Sequence, residues 1–336
     1  MKIAIDLGTA YSVVYVVGRG VVLREPSAVA IHRESRDVIA YGDKARSMLG
    51  RTPPHIEVVR PLREGVIANF DGARELLRHY IEVAGEGRWI RRFDVILCVP
   101  HGATPVELEA LRRESLAAGA HRVDLVKEPF AAALGAGLPI DEPRGNLVVD
   151  IGGGTTETAL ISLGGIVAIQ AVRVGSFDID AAIQSYVRRV YGIAIGERTA
   201  EDIKIVLGSA ARTEDEVRAE VRGRELMSGL PKTVVLTPEE IREAIDEVVT
   251  SMVDSVLACL AQAPPELAQD LLVEGIQLVG GGGMLRGLAA RIGREAGVPV
   301  HLVDTPLECV VLGAGRCIES FESVRAMFMD ARPRAR

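Results

Sequence analysis

Two segments of this chain repeat one pattern of residues, and this duplication limits the folds available to it more than any other feature. Residues 3–17 read IAIDLGTAYSVVYVV, and residues 147–161 read LVVDIGGGTTETALI. Each segment has an apolar strand, then Asp, an aliphatic residue and Gly, then small and hydroxyl residues, then a second apolar strand. The repeat predicts two related domains, each beginning with a β-hairpin whose turn carries the same chemistry.

Strand and helix patterns alternate along the rest of the chain, which predicts an α/β fold. Further strands are predicted at 93–100 and 122–129, with an extended segment at 20–62 and a polar, irregular region at 209–236. A strand, a glycine-rich turn and a helix are predicted at 275–297. Apolar periodicity predicts the other helices at 71–85, 105–118, 131–137, 178–192, 197–210 and 238–262.

Composition excludes several classes of protein. With 336 residues, 48% of them hydrophobic, the chain is long enough for two domains with substantial cores. A net charge of -7 disfavours general nucleic-acid binding, which needs a basic face. The uncharged run at 158–172 is too short to cross a membrane and is typical of a hairpin; with no signal peptide, we expect a soluble protein. Buried, reduced thiols are expected at Cys98, Cys259, Cys309 and Cys317.

The two hairpin turns form the first candidate binding site. Turns that contain glycine let backbone N–H groups converge on an anion, so residues 8–10 and 152–156 would grip a polyphosphate from two sides. Asp6 and Asp150, at the ends of the first strands, would hold a hydrated Mg²⁺. The alternative is that each turn is an ordinary glycine hairpin beside an exposed aspartate.

Three further motifs carry candidate chemistry. The run VGGGGML at 279–285 joins a strand to a helix, where free amides accept phosphate or pack against a nucleoside; the chain has no Rossmann GxGxxG pattern and no Gly-Lys pair of a P-loop. Glu201 and Lys204 share a helix face and would bond ribose hydroxyls, or else form a surface salt bridge. Glu128, directly before Pro129, would orient water for attack on a γ-phosphate, or else cap a helix.

The motifs DLGTA, VVDIGGGTTE, GERTAEDIK and VGGGGMLRGL together resemble those of the actin/Hsp70/sugar-kinase superfamily of ATPases, and within it the MreB-type bacterial actins, from residue 1 to about 320. The resemblance implies an α/β, actin-like ATPase fold, in which two duplicated ribonuclease-H-like domains with small inserted subdomains surround a nucleotide cleft. Domain I would span 1–145, with an insertion at about 32–65, and a helix at about 316–330 would complete it. Domain II would span 146–315, with an insertion at about 184–242.

The resemblance also implies a role for each motif residue. Asp6 and Asp150 would organise Mg²⁺, largely through water, and Glu128 would place the hydrolytic water with help from Thr155. Glu201 and Lys204 would contact the ribose. The phosphate loops would be Gly8, Thr9 and Ala10 with Gly152, Gly153, Gly154 and Thr155, and the adenosine side would be Gly281, Gly282, Gly283 and Met284.

The chain departs from the family pattern at three places, and each departure carries an expectation. Tyr11 stands where Asn is usual and is expected to crowd the first phosphate loop. Ser176 and Phe177 replace a usual Gly-Asp pair, which is expected to weaken the access of that loop to phosphate. Lys127 replaces a common Glu and is expected to lower the pKa of the neighbouring Glu128.

Chain length separates the functions that share this fold. A sugar or acetate kinase needs an acceptor motif and usually larger insertions, and a chaperone needs a peptide-binding domain after the ATPase. The resemblance therefore implies a homopolymeric filament that binds ATP or ADP with Mg²⁺ and hydrolyses ATP slowly. It also implies that this filament organises cell-wall synthesis and cell shape together with membrane proteins of the elongation machinery. An actin-like filament that positions organelles or plasmids, and a small-molecule kinase, remain the alternatives.

The segment GEGRWIRRFD, residues 85–94, holds the only tryptophan. In MreB-type proteins the matching stretch is a projecting loop, and in some members its apolar pair enters the membrane. We therefore expect Trp89 and Ile90 to enter the inner face of the cytoplasmic membrane, while Arg88, Arg91 and Arg92 meet anionic lipid. The alternative is that Trp89 packs against the surface of its own protein.

Overall fold

A computed structural model describes residues 1–86, 92–212 and 217–319. Residues 1–145 are here called the N-terminal half and residues 146–319 the C-terminal half. The N-terminal half has strands β1 (Lys2–Leu7), β2 (Tyr11–Val16), β3 (Gly20–Pro26), β4 (Val29–His32), β5 (Val38–Tyr41), β6 (Ile56–Val59), β7 (Leu62–Arg63), β8 (Val66–Ile67), β9 (Asp94–Val99) and β10 (Arg122–Lys127), and helices α1 (Gly42–Ser47), α2 (Phe70–Gly85), α3 (Pro105–Ala117) and α4 (Glu128–Gly135).

The C-terminal half repeats the plan. Its strands are β11 (Asn146–Ile151), β12 (Thr156–Ser162), β13 (Gly165–Val172), β14 (Ile193–Ala194), β15 (Ala219–Glu225), β16 (Pro231–Leu236), β17 (Ile276–Val279) and β18 (Val300–Leu302). Its helices are α5 (Ser176–Tyr191), α6 (Glu197–Leu207), α7 (Pro238–Leu260), α8 (Pro265–Glu274), α9 (Leu288–Ala296) and α10 (Cys309–Glu319), with a short 3₁₀ turn at Gly282–Met284.

Each half contains one five-stranded sheet with the same arrangement around its first strand. The N-terminal sheet has the order β10-β9-β1-β2-β3, and the C-terminal sheet has the order β13-β12-β11-β17-β18. In each, the first strand pairs antiparallel with its hairpin partner and parallel with a later strand. The duplicated hairpins predicted from the sequence are therefore the central elements of two matching sheets.

Each half also carries a three-stranded sheet, of order β5-β4-β6 or β14-β15-β16, and these two regions correct the sequence predictions. The segment 20–62 contains the short helix α1 as well as strands. The region 209–236 contains the antiparallel hairpin β15–β16, which we predicted to be irregular. Only alternate side chains of this hairpin, such as Val221, Val234 and Leu236, are buried, so its composition is mostly polar although its backbone is regular.

The two halves meet through helices α4 and α10. A Cβ atom on Gly313 would overlap the carbonyl oxygen of Ala131, and one on Gly135 would overlap that of Cys309, so the two backbones are in direct contact. The core around these helices includes Ala4 and Ile96 from one sheet and apolar residues of β11, β12 and β17 from the other. All four cysteines are free and buried, as predicted. Within the described ranges, no helix is both long and apolar enough to cross a membrane.

Candidate nucleotide site

A cavity of about 390 Å³ lies between the two hairpin turns, at the ends of β1 and β11. Most of the residues proposed from the sequence line it: Asp6, Gly8, Thr9, Ala10, Glu128, Asp150, Gly152, Gly153, Thr155, Glu201, Lys204, Gly281, Gly282 and Met284. Two proposed residues lie outside the lining. Gly154 packs against the backbone of Glu64, and Gly283 packs against the side chain of Leu278.

The two turns approach each other closely. A Cβ atom on Gly153 would lie 2.7 Å from the Cβ of Ala10, so the second turn has no room for a larger residue. The amide of Gly65 donates to Thr9 Oγ1 at 3.0 Å, and the amide of Gly152 donates to the carbonyl of Thr155 at 2.9 Å. The turns thus form two facing loops whose shape is set by glycine and by short hydrogen bonds.

Four buried carboxyl groups lie close together here, three of them in the cavity lining, and burial makes their ionisation unfavourable. Burial, and then the charge of Asp150, raise the pKa of Asp6 to about 7. Burial raises the pKa of Asp150 to about 6. Burial, followed by the charges of Glu157, Asp6 and Asp150, holds the pKa of Glu128 well above its usual range. A cation placed among these groups would oppose the shifts, because it favours the charged form of each carboxyl group.

Glu157 is the member of this group that sequence reasoning missed. It is 3% exposed, and its Oε1 accepts the amide of His101 at 2.9 Å, while Oε2 has no hydrogen-bond partner among the described residues. Burial and the charge of Asp150 raise its pKa to about 7. Asp150 and Glu157 are directly paired across the β11–β12 hairpin. The register of the repeated hairpin could have indicated this neighbour, because paired residues face the same side of a sheet.

The expectation that Lys127 lowers the pKa of Glu128 is wrong. Burial and the neighbouring carboxylates raise that pKa, and Lys127 is not a cause of the shift. The charge of Lys127 instead lowers the pKa values of Glu157 and His101, although burial has the larger effect on both. The ammonium of Lys127 therefore acts on Glu157, which lies on β12, and on His101.

Glu201 and Lys204, the two candidate ribose ligands, both line the cavity. Each is bonded to a different residue and not to the other ligand. Lys204 Nζ lies 2.9 Å from Asp180 Oδ1 and donates to the carbonyl of Ser176 at 3.2 Å. The carboxylate of Glu201 accepts from the guanidinium of Arg46. A ribose at this position would meet side chains whose orientation is already fixed.

The lining also includes residues that sequence reasoning did not assign. Gly280, the first glycine of the run, has a φ of +80°, and a Cβ there would overlap Asp150 Oδ1. Only glycine combines this backbone conformation with so close an approach to the carboxylate. Other unassigned lining residues are Leu7, Gly65, Ile179, Ile205, Gly208, Leu285, Arg286, Pro306, Leu307 and Val310.

Comparison with known proteins is decisive for the family. A family model described as MreB/Mbl protein matches residues 1–326. The cell shape-determining protein MreB of Escherichia coli (strain K12) is 46% identical over 325 residues, which cover 95% of this chain and 94% of the relative. The chain belongs to the MreB/Mbl family of bacterial actins. The cell shape-determining protein Mbl of Bacillus subtilis (strain 168) is 39% identical over 322 residues, covering 96% and 97% of the two chains.

Solved structures confirm the actin-like α/β fold. MreB5 of Spiroplasma citri bound to ADP superposes with a TM-score of 0.91 at 37% identity, covering 97% of this chain and 98% of that one. A MamK double helical filament superposes with a TM-score of 0.80 at 22% identity, covering 95% and 99% of the two chains, and so supports the fold alone. The prediction that this chain is an MreB-type protein is confirmed.

The departures from the MreB pattern have defined places. The Tyr11 ring lines the cavity and its hydroxyl accepts from Arg46 Nη1 at 2.7 Å. The amides of Ser176 and Phe177 donate to the carbonyls of Gly152 and Gly153 at 3.0 and 2.9 Å. These two amides are therefore already bonded to the second glycine turn.

The predicted metal ligands Asp6 and Asp150 line the cavity, and the predicted membrane residue Arg92 lies in the described part of the chain. Among the residues that the structure describes, no group of three or more His, Cys, Asp or Glu side chains has metal-binding geometry. Arg88, Trp89, Ile90 and Arg91 lie outside the described residues. Arg92 is exposed, and its carbonyl accepts from the amino group of Met1 at 2.6 Å. Arg92 therefore lies beside the start of β1, at the end of the strand opposite Asp6.

The raised pKa of Asp6 predicts how stability depends on pH in this MreB-family chain without divalent cation or nucleotide. A carboxyl with a folded-state pKa near 7 and an unfolded-state pKa near 4 binds its proton more tightly when folded. Its contribution to stability is therefore complete below about pH 4 and is lost as the pH rises through about 7. We expect Asp6→Asn to increase the free energy of unfolding at pH 8 by about 1 kcal/mol or more.

Urea unfolding at pH 5, 6.5 and 8 measures this effect. The difference between Asp6→Asn and the parent should grow with pH, whereas Asp304→Asn on the surface should give a constant difference. A variant whose stability follows the pH dependence of the parent would contradict the assignment of a raised pKa to Asp6.

Proposed function

We propose that this chain is an ATP-binding, filament-forming bacterial actin that hydrolyses ATP slowly and helps to organise cell-wall synthesis and cell shape. The observation that carries the proposal is the pair of matched turns, with Asp6 and Asp150, that face one cavity from two related sheets. The names of the family relatives and the ADP bound to MreB5 of Spiroplasma citri support it. Domains I and II are proposed to have the boundaries and inserted subdomains given above, with the helix at about 316–330 completing domain I.

In the proposed function, each part of the nucleotide would contact a different part of the cavity lining. The volume of the cavity lies in the range of small-molecule sites. The two glycine turns would bind the phosphates, Glu201 and Lys204 the ribose, and Gly281, Gly282 and Met284 the adenosine side. This assignment is supported by the free volume between these groups and by their arrangement from the sheet ends to helix α6.

Asp6 and Asp150 fit a magnesium ion that also contacts the nucleotide phosphates. Mg²⁺ keeps several water molecules and needs few protein carboxylates, so two aspartates suffice. The raised pKa values of Asp6 and Asp150 are what buried carboxylates show without a nearby cation. When bound, the ion would neutralise phosphate charge, and these carboxylates would orient its water shell.

Loss of Asp150 tests the nucleotide and magnesium assignment. We expect Asp150→Ala to lower the affinity for Mg²⁺-ATP by roughly 10-fold or more, because the bound ion loses an anchor. Isothermal titration calorimetry with and without Mg²⁺ measures this, and Asp304→Ala serves as the surface control. Undiminished affinity together with unchanged turnover would show that the assignment of Asp150 is wrong.

Glu128 tests chemistry separately from binding. It lines the cavity at the first turn of α4, where Thr155 from the second turn faces the same space. We expect Glu128→Ala to keep ATP affinity within a few-fold but to slow phosphate release by roughly 10²-fold, since the hydrolytic water loses its positioning group. Filaments should still form and should persist longer.

A phosphate-release assay on assembled filaments, with Glu266→Ala as control, decides the role of Glu128. Hydrolysis at the rate of the parent would remove Glu128 from the mechanism. Transfer of phosphate to a sugar in a coupled assay would support the small-molecule kinase instead.

We also propose that filaments attach to the inner face of the cytoplasmic membrane through the segment that contains Trp89 and Ile90. Each arginine near an anionic surface contributes about 1 kcal/mol, so a single subunit would bind weakly and a filament would bind through many copies. The exposed Arg92 and its place at the end of β1 away from the cavity support an attachment that leaves the cleft open. Membrane proteins of the cell-wall elongation machinery would be further partners.

Substitution of both Trp89 and Ile90 by alanine tests the attachment. We expect this double variant to lose co-sedimentation with anionic liposomes while ATP-dependent polymerisation in solution is unchanged, because only apolar insertion is removed. The matched control replaces the exposed Val106 and Leu116 of α3 by alanine. If the Trp89 and Ile90 variant sediments with liposomes as well as the parent does, another part of the surface binds lipid.

A further inference from the structure

Two arginines of the N-terminal half reach two glutamates on one helix of the C-terminal half. Arg46, on α1, donates to Tyr11 Oη at 2.7 Å and to the carboxylate of Glu201 on α6. Arg60, directly after β6, has Nη1 2.6 Å from Glu197 Oε2 on the same helix. These ion pairs join residues from opposite sides of the cavity.

The two glutamates occupy one face of α6, because they are four residues apart. The next turn of that face carries Lys204, which is bonded to Asp180 and to the carbonyl of Ser176 on α5. Helix α6 is therefore tied to α5 within its own half and to two arginines from the other half. Since α6 supplies Glu201, Lys204 and Ile205 to the cavity lining, its position sets the width of the cleft.

Each arginine also has an aromatic neighbour, at a position where this chain departs from the family pattern. Tyr11 accepts a hydrogen bond from Arg46, and the Phe177 ring centre lies 4.5 Å from the guanidinium carbon of Arg60. An aromatic face attracts a guanidinium and orients it. These contacts hold both arginines toward α6 without any contribution from a nucleotide.

The burial of the pairs indicates which of them resists screening by salt. The side chains of Arg46 and Glu201 are 23% and 18% exposed, whereas those of Arg60 and Glu197 are 27% and 55% exposed. Partly buried ion pairs are screened less than exposed ones. The Arg46 pair is therefore the stronger restraint, and the Arg60 pair is the one that can be altered without replacing a residue of the cavity lining.

We propose that Arg46 and Arg60 are positioning residues that form a clamp across the cleft and set the rate at which bound nucleotide leaves. The inference rests on the proposed nucleotide function. A nucleotide between the turns and α6 leaves when the two walls separate, and this separation breaks both ion pairs. Arg46 also fixes the carboxylate of Glu201, the proposed ribose ligand, so the clamp orients the site as well as closing it.

The Arg60–Glu197 pair provides the cleanest test, because neither side chain lines the cavity. Arg60→Glu, Glu197→Arg and the double variant with exchanged charges would be loaded with a fluorescent ATP analogue and Mg²⁺. Release after addition of excess ATP is then followed by stopped flow. We expect release to be about 3- to 10-fold faster in each single variant and slower in the double variant than in either single variant, because the exchange restores the ion pair but not the contact of Arg60 with the Phe177 ring.

Two further variants control for charge and for folding. Arg33 directly follows β4, and its partner Glu57 lies 3.8 Å away on the neighbouring strand β6, within the N-terminal half. Arg33→Glu should therefore leave release unchanged. Tyr11→Phe removes only the hydroxyl that orients Arg46, and it should speed release about 2-fold. Hydrogen exchange of the α6 amides in nucleotide-free protein should rise in the single variants and return to the parental rate in the double variant.

The outcomes separate the clamp from the nucleotide function. Faster release in the single variants with recovery in the double variant supports the clamp. Normal nucleotide binding with unchanged release, or a double variant as fast as the faster single variant, overturns the clamp alone. A parent protein that binds no nucleotide overturns the proposed function and with it the role of the clamp in retention.

Discussion

The burial of neighbouring carboxylates is the constraint on which the architecture of this protein depends. Asp6 and Asp150 lie near the ends of the first strands of two related sheets, Glu128 lines the same cavity, and Glu157 is paired with Asp150 across the hairpin. Burial raises the pKa values of all four groups, and neighbouring carboxylates add to the shift at Asp6, Glu128 and Glu157, so this arrangement is costly without cations. The fold tolerates the cost because the contact between the halves around α4 and α10 is apolar and closely packed.

That apolar contact is unusually close, because glycine allows it. Helices α4 and α10 touch backbone to backbone at Gly135 and Gly313, and the surrounding core contains residues from both sheets. Packing at this distance resists small displacements, since interiors have few voids. The base of the cleft is therefore fixed, and opening would involve the parts that lie farther from these helices, such as α1 and α6.

Charge is distributed accordingly between the base and the edge of the cleft. Acidic groups occupy the base of the cleft, where a cation with a polyphosphate would complete the site. The two halves stay in contact there through α4 and α10. Ion pairs between Arg46 and Glu201 and between Arg60 and Glu197 occupy the edge. Partly exposed ion pairs exchange with water at small cost, so such contacts suit a part of the molecule that opens and closes.

The sequence by itself determined the elements whose causes are local. The apolar strands and Asp-Gly turns predicted both hairpins, helical periodicity predicted the long helices, and the spacing of Glu201 and Lys204 placed them on one face. The tertiary structure alone decided which groups meet across the chain. Arg46 and Glu201 are 155 residues apart, and Arg46 lies in a short helix with no local motif. Glu157 belongs to the site because hairpin register places it opposite Asp150, and the direction of its pKa shift depends on burial that no linear pattern records.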